Sequence, residues 1–147
     1  SSSDWGDPSL PLIVESCEYA RSFHYLRPYK VALINVAAEH PDTYPGGLPE
    51  VVESFATFIA NTSPEGAVFA GPEAPEKLQQ HTDASWLPSP SLSEDVDVGL
   101  FGKHNRSNAA LVAAVLHDFR LTDQQIKHAL STFKGAARRL EFLKDLH

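Results

Sequence analysis

Asn105 and Asn108 stand three residues apart, just after Gly102 and at the start of an apolar stretch, Ala109–Leu116. Positions i and i+3 share a helix face, so two carboxamides there offer donors and acceptors to one flat polar ligand. The free backbone N–H groups at a helix start also favour an anion nearby. A nucleotide satisfies both preferences. The local alternative makes Asn105 a helix N-cap and Asn108 an ordinary first-turn residue.

Glu15 closes the apolar run Leu10–Val14, and Glu39 and His40 follow a second run, Val31–Ile34, that ends at Asn35. In open α/β sheets ligands gather beyond the carboxyl ends of strands. A carboxylate at such an end suits magnesium, which takes oxygen ligands together with substrate phosphates. An imidazole can bind a metal through one ring nitrogen while the other is oriented by an acceptor. The plainer alternatives are that Glu15 caps the next turn and that Glu39 and His40 belong to a solvated loop.

Arg138 and Arg139 can meet phosphate with planar forks, or serve as salt-bridge partners at a domain edge. Lys103 does not end a phosphate-binding loop. Gly99 and Gly102 are separated by two residues where four are needed, and His104 follows the lysine where Ser or Thr is required. Cys17 has no His–Asp constellation beside it in the sequence and reads as packing. His24, His117 and His128 are isolated and read as surface or satisfied core.

The elements that must carry these residues alternate. Leu10–Val14, Val31–Ile34 and Ala67–Ala70 are short apolar runs without alternation, as expected of strands covered on both faces. Val96–Phe101 predicts a further strand, and a small one is expected around Trp86. Helices are expected over Glu18–Leu26, over Leu48–Ile59 with Pro49 in the first turn, over Pro75–His81, and after Gly102. The last helix is marked by Thr122 and Gln125 as a capping box, with Leu121 stapled onto Ile126 and Gly135 as the stop. This pattern predicts an α/β domain with a mainly parallel sheet flanked by helices.

At 147 residues the chain holds one full core. A net charge of −7, with basic residues scattered, argues against a nucleic-acid partner. No apolar run approaches the roughly 20 residues of a membrane span. One cysteine excludes an internal disulfide framework, and a cytoplasmic location is the expectation. The absence of Met predicts an excised or processed chain.

Together these segments resemble the Mur ligase family, most closely its UDP-N-acetylmuramate–L-alanine ligases. Val14–Phe23 resembles the segment around the family's magnesium-binding glutamate. Asn35–Tyr44 is similar to the signature Asn-x-x-x-Asp-His-x-Asp-x-Tyr, Gly102-x-His104-Asn105-x-x-Asn108 to the adenine-binding element, and Phe133–Glu141 to the end of the central domain. The order and spacing of the four carry the resemblance, from about Leu12 to Leu143. It implies an incomplete P-loop-type central domain: residues 1–10 a flexible lead, 11–137 part of the ATP-binding domain, 138–147 the start of a linker.

By the same resemblance Glu15 and His40 bind Mg2+, Asn105 and Asn108 contact the adenine of ATP, and Arg139 contacts its phosphate end. The implied reaction joins L-alanine to UDP-N-acetylmuramic acid through an acyl phosphate, with a murein tripeptide-recycling ligase or a non-catalytic nucleotide-binding module as alternatives. Glu39 stands where the family has Asp, and Cys17 and Ala20 replace acids. No P-loop lies within the chain, so the chain alone is expected to be inactive. The sheet edge and apolar face left bare by the missing segment predict a dimer or a cover of N-terminal residues.

Overall fold

The run Ala67–Ala70 is buried on both faces, and the strand that contains it, β2 (Ala67–Glu73), lies in the middle of the sheet. It pairs in parallel with β1 (Lys30–Asn35) on one side and β3 (Ser85–Pro88) on the other. The computed structural model describes residues 10–135. Within them the sheet has the order β1-β2-β3 and all its pairs are parallel, as the alternation of strands and helices requires.

Each face of the sheet has its own helix. Val31, Leu33 and Val68 join Val52, Ala56, Phe58 and Ile59 of α1 (Leu48–Ala60) in one core, which also takes in Phe23 and Leu78. Ala67 and Phe69 point to the other face and meet Leu111 of α2 (Lys103–Asp118). Behind α2, Ala109 and Ala113 pack with Val96 and with Ile126 and Leu130 of α3 (Asp123–Thr132). Burying side chains such as Ile59 and Phe58 contributes roughly 2 kcal/mol each, which is why α1 forms despite an N-cap glycine with no side-chain bond.

The local signals in α3 are realised. The Thr122 hydroxyl accepts from the Gln125 N–H, the Gln125 side chain accepts from the Thr122 N–H, and Leu121 packs on the cluster that holds Ile126. Two short 3-10 segments, Tyr19–Tyr25 and Glu76–His81, replace the expected helices at those places.

Two expected strands are absent. Leu10–Val14 is not a strand: it finds no ladder partner among the described residues, and its side chains are exposed, Ile13 by 91%. An apolar run becomes a strand only when its N–H and C=O groups meet a neighbouring strand, and β1 is bonded to β2 alone. Val96–Phe101 is likewise a bent segment. Its Val96 and Val98 face the α2–α3 cluster, and Gly99 donates to the Leu130 carbonyl at 3.0 Å, so its bonds go to a helix end.

Gly66 sets the start of both ladders. A Cβ there would lie 1.8 Å from the Tyr29 carbonyl oxygen, which accepts from Ala67 at 3.2 Å. Gly66→Ala must push β2 away from β1, and we expect a loss of about 3 kcal/mol in stability. Urea unfolding monitored by circular dichroism measures it, and an unchanged midpoint would contradict this close approach.

Candidate functional site

β1 and α2 are tied at one end. The Lys30 ammonium, at the start of β1, pairs with the Asp118 carboxylate at the end of α2 and lies 5.2 Å from the Phe119 ring centroid. With Leu111, further back in α2, packed on Ala67 and Phe69 of β2, the helix runs back over the sheet towards the carboxyl ends of its strands. Its roughly 24 Å and the roughly 20 Å of β1 are similar in length. The first turn of α2 thus lies towards the carboxyl end of β1, the end from which His40 departs. Two segments 60 residues apart in sequence reach one edge of the sheet, the edge where ligands bind in open α/β sheets.

At the β1 side, His40 Nε2 lies 3.2 Å from Glu18 Oε1. Glu18 is brought there by a tight reversal in which Ala20 and Arg21 take left-handed conformations, φ 51° and 54°. That conformation costs an L-residue about 1–2 kcal/mol. Several bonds hold it. The Tyr44 hydroxyl donates to the Glu18 carbonyl at 2.7 Å, the Ala20 N–H to Thr43 Oγ1 at 3.3 Å, and Arg21 Nη2 to Glu50 Oε1 at 2.5 Å. Tyr44 is 1% exposed, and its oxygen also lies 3.1 Å from Ser54 Oγ, which in turn lies 2.9 Å from His24 Nε2. His24 is thus a satisfied, half-buried histidine.

Glu15 is exposed and makes no ion pair among the described residues, so the partner found by His40 is Glu18. Cys17, which the sequence suggests as packing, is exposed and lies beside that pair. Glu39 is exposed as well. Sequence reasoning missed Glu18 and the anchoring role of Tyr44. The tyrosine at the end of the Asn35–Tyr44 segment was the available signal for the second.

At the α2 side the N-cap is Gly102, φ 101°, and neither asparagine. Asn105 Nδ2 donates to the Phe101 carbonyl at 2.7 Å, closing the turn that leads into the helix and leaving Oδ1 free to accept. Asn105, Asn108 and Val112 form one stripe at helical spacing, the asparagines half-buried and Val112 exposed. The first turn holds no acidic residue but includes Lys103, so its free N–H groups keep their positive character.

A cavity of about 550 Å³ adjoins this turn, lined by Gly102, Lys103 and Arg106 and by Glu94, Asp95 and Asp97. Arg106 points about 100° around the helix from Asn105 and about 160° from Asn108, at about 100° per residue. Its guanidinium is spent on backbone: it donates to the carbonyls of Val96 at 3.1 Å, Leu92 at 3.4 Å and Ser93. The Ser93 hydroxyl, helped by Lys127, holds the Asp95 carboxyl below the usual range. An acidic rim of this kind repels phosphate, so the asparagine face and not this cavity suits a nucleotide. Arg138 and Arg139 lie outside the described residues.

The fold now has named likenesses. Over 84% of its length the chain superposes on MurF from Acinetobacter baumannii, with a TM-score of 0.67 and 16% identity. Over 79% it superposes on the UDP-N-acetylmuramate:L-alanyl-gamma-D-glutamyl-meso-diaminopimelate ligase (MPL) from Neisseria meningitides, with a TM-score of 0.63 and 21% identity. The chain spans 33% and 43% of those two proteins. It has a Mur ligase-like α/β fold, and neither of these neighbours is the L-alanine ligase that the sequence motifs suggest. No protein-family model matches the chain. Among the described residues no helix is long and apolar enough to cross a membrane.

The Tyr44 hydroxyl bridges two segments, so Tyr44→Phe removes a buried, two-ended bond without changing shape. We expect it to lower stability by about 1–2 kcal/mol in urea unfolding. We also expect the His40 ring resonances in NMR spectra to shift, because the turn carrying Glu18 loosens. A variant as stable as the parent with an unmoved His40 would remove the pin from this account.

Proposed function

We propose that this chain is part of the nucleotide-binding portion of an ATP-dependent carboxylate–amine ligase of the Mur type, acting on a peptidoglycan precursor. What supports the reading is a Mur ligase-like parallel sheet in which Asn35–Tyr44 leaves the carboxyl end of β1 while α2, opened by Gly102–Asn108, packs against β1 and β2.

In this reading Asn105 and Asn108 hold adenine, Asn105 accepting through Oδ1. Arg139 takes the phosphate end. In this reading a carboxylate oxygen of Glu15 and an imidazole nitrogen of His40 would hold a magnesium ion. That ion supplies neutralisation of charge on the transferring phosphoryl group. The substrate carboxylate attacks the γ-phosphate of ATP, ADP leaves, and an acyl phosphate forms. The amine then displaces inorganic phosphate to give the amide. Charge on the transferring group is stabilised by fixed positive groups, the largest source of rate in such transfers.

The resemblance of Glu15–Phe23 to the alanine-adding group favours L-alanine as the amine. The likeness to MPL favours the second reading, in which a tripeptide is added. The 147 residues contain no Gly-x-x-x-x-Gly-Lys-Ser/Thr, so no backbone cradle for the β- and γ-phosphates lies within them.

Two outcomes follow for the chain as it stands. Saturation-transfer NMR with ATP should mark the adenine protons, and the double variant Asn105→Ala, Asn108→Ala should weaken binding about tenfold, the worth of one hydrogen bond of about 1.4 kcal/mol. Equal transfer in the variant would remove adenine from that face. Mixed with ATP, UDP-N-acetylmuramic acid and either amine, the chain should release no phosphate. Release dependent on L-alanine or on tripeptide would overturn its inactivity and name the amine.

A further inference from the structure

Cys17, Glu18 and His40 place one sulfur, one carboxylate oxygen and one imidazole nitrogen within 4.8 Å of one another. We infer that this trio is a three-ligand site for a thiophilic divalent ion, zinc above all, with water in the fourth position. The inference does not rest on the ligase reading, because Glu15 takes no part in it.

Donor chemistry selects the ion. Magnesium wants near-octahedral oxygen and has no use for a thiolate. Zinc takes Cys, His and carboxylate together, usually four-coordinate, and three protein ligands with one open position is the arrangement of its reactive sites. Bond lengths of about 2.0–2.3 Å in a tetrahedron put ligand atoms about 3.3–3.7 Å apart. Glu18 Oε1 and His40 Nε2 are already 3.2 Å apart. The sulfur lies within 4.8 Å of both of those atoms, on an exposed side chain.

The surroundings fix the ligands as metal sites require. The Tyr19 N–H lies 3.5 Å from Cys17 Sγ and donates to it, which suits a thiolate. The Tyr19 ring meets the His40 ring edge-on, centroids 5.4 Å apart, limiting its rotation. Tyr44 pins the Glu18 backbone through its carbonyl at 2.7 Å. Exposure of Cys17 leaves an entry path and room for the water. On binding, the thiol proton passes to solvent and sulfur forms the metal bond. The chain therefore carries, beside a carboxylate suited to magnesium, a second donor set that competes for the same histidine.

Cobalt(II) titration of the whole 147-residue chain tests this through the thiolate-to-cobalt charge-transfer band, followed by displacement with zinc. One ion per chain, a band of that kind and its loss on adding zinc but not magnesium are expected. Cys17→Ser should abolish the band and weaken zinc at least about tenfold, the smallest loss expected when even an outer partner of a metal site is removed. Glu18→Gln should weaken zinc while keeping the band, and Glu15→Gln should leave zinc affinity unchanged. Far-ultraviolet circular dichroism of each variant reports that the fold is kept. A folded parent chain without the band, a Cys17→Ser variant that binds zinc as tightly as the parent, or a site that depends on Glu15 instead of Glu18 would each overturn the assignment. If zinc binds as inferred and adenine transfer fails, the metal site stands and the ligase reading falls.

Discussion

The phenol of Tyr44 is enclosed between two pieces of chain that share no backbone ladder, the turn around Glu18 and the middle of α1. Its oxygen meets the Glu18 carbonyl on one side and the Ser54 hydroxyl on the other, and Ser54 continues to His24. A buried hydroxyl without partners costs about 1–3 kcal/mol, so this chain of bonds must close for the core beneath it to form. Closing it holds the strained reversal at Ala20 and Arg21, and the reversal delivers Glu18 and Cys17 to His40. The stacked Phe23 and Phe58 rings beneath, centroids 4.8 Å apart, give the same turn an apolar footing. The local strain is thus held by tertiary contacts, a pattern associated with functional sites.

The sheet makes the opposite use of its polar groups. β1, β2 and β3 satisfy one another by regular parallel pairing, and direction is fixed by where side chains can be covered. Val31 and Leu33 turn towards α1, while Ala32 shares a register with Phe69 and so faces the side of α2. Beyond the reach of α2, Ile34 remains 52% exposed on that side.

How much of this was legible in the chain depends on the range of the interaction that decides it. Thr122 and Gln125 act within four residues, and the capping box is present as read. The runs at Val31 and Ala67 carry their own partners in each other, and they pair. Leu10–Val14 is similarly apolar but has no ladder partner among the described residues, and composition alone does not reveal that. Val96–Phe101 fails for a related reason: its valines are drawn to α2 and α3, which a reading of local periodicity does not weigh. At the site, the shared face of Asn105 and Asn108 follows from helix geometry and was legible. The meeting of Cys17, Glu18 and His40 depends on left-handed Ala20 and Arg21, residues whose types give no hint of that conformation.

The Lys30–Asp118 pair joins these scales. An exposed ion pair is worth little in stability, with a median near 0–1 kcal/mol, but this one is partly shielded and sits against Phe119. Its larger effect is directional. With the end of α2 held to the start of β1, the first turn of α2 must lie towards the opposite edge. That places the asparagines towards the carboxyl end of β1, where Ile34 is exposed. In the proposed reading a ligand with a flat polar head and an anionic tail lays its head on the asparagines and its charge towards His40. The cavity beside Arg106 is closed to that ligand by its carboxylates. The ion pair at the start of β1 therefore helps to fix towards which edge of the sheet the start of α2, with its asparagines, points.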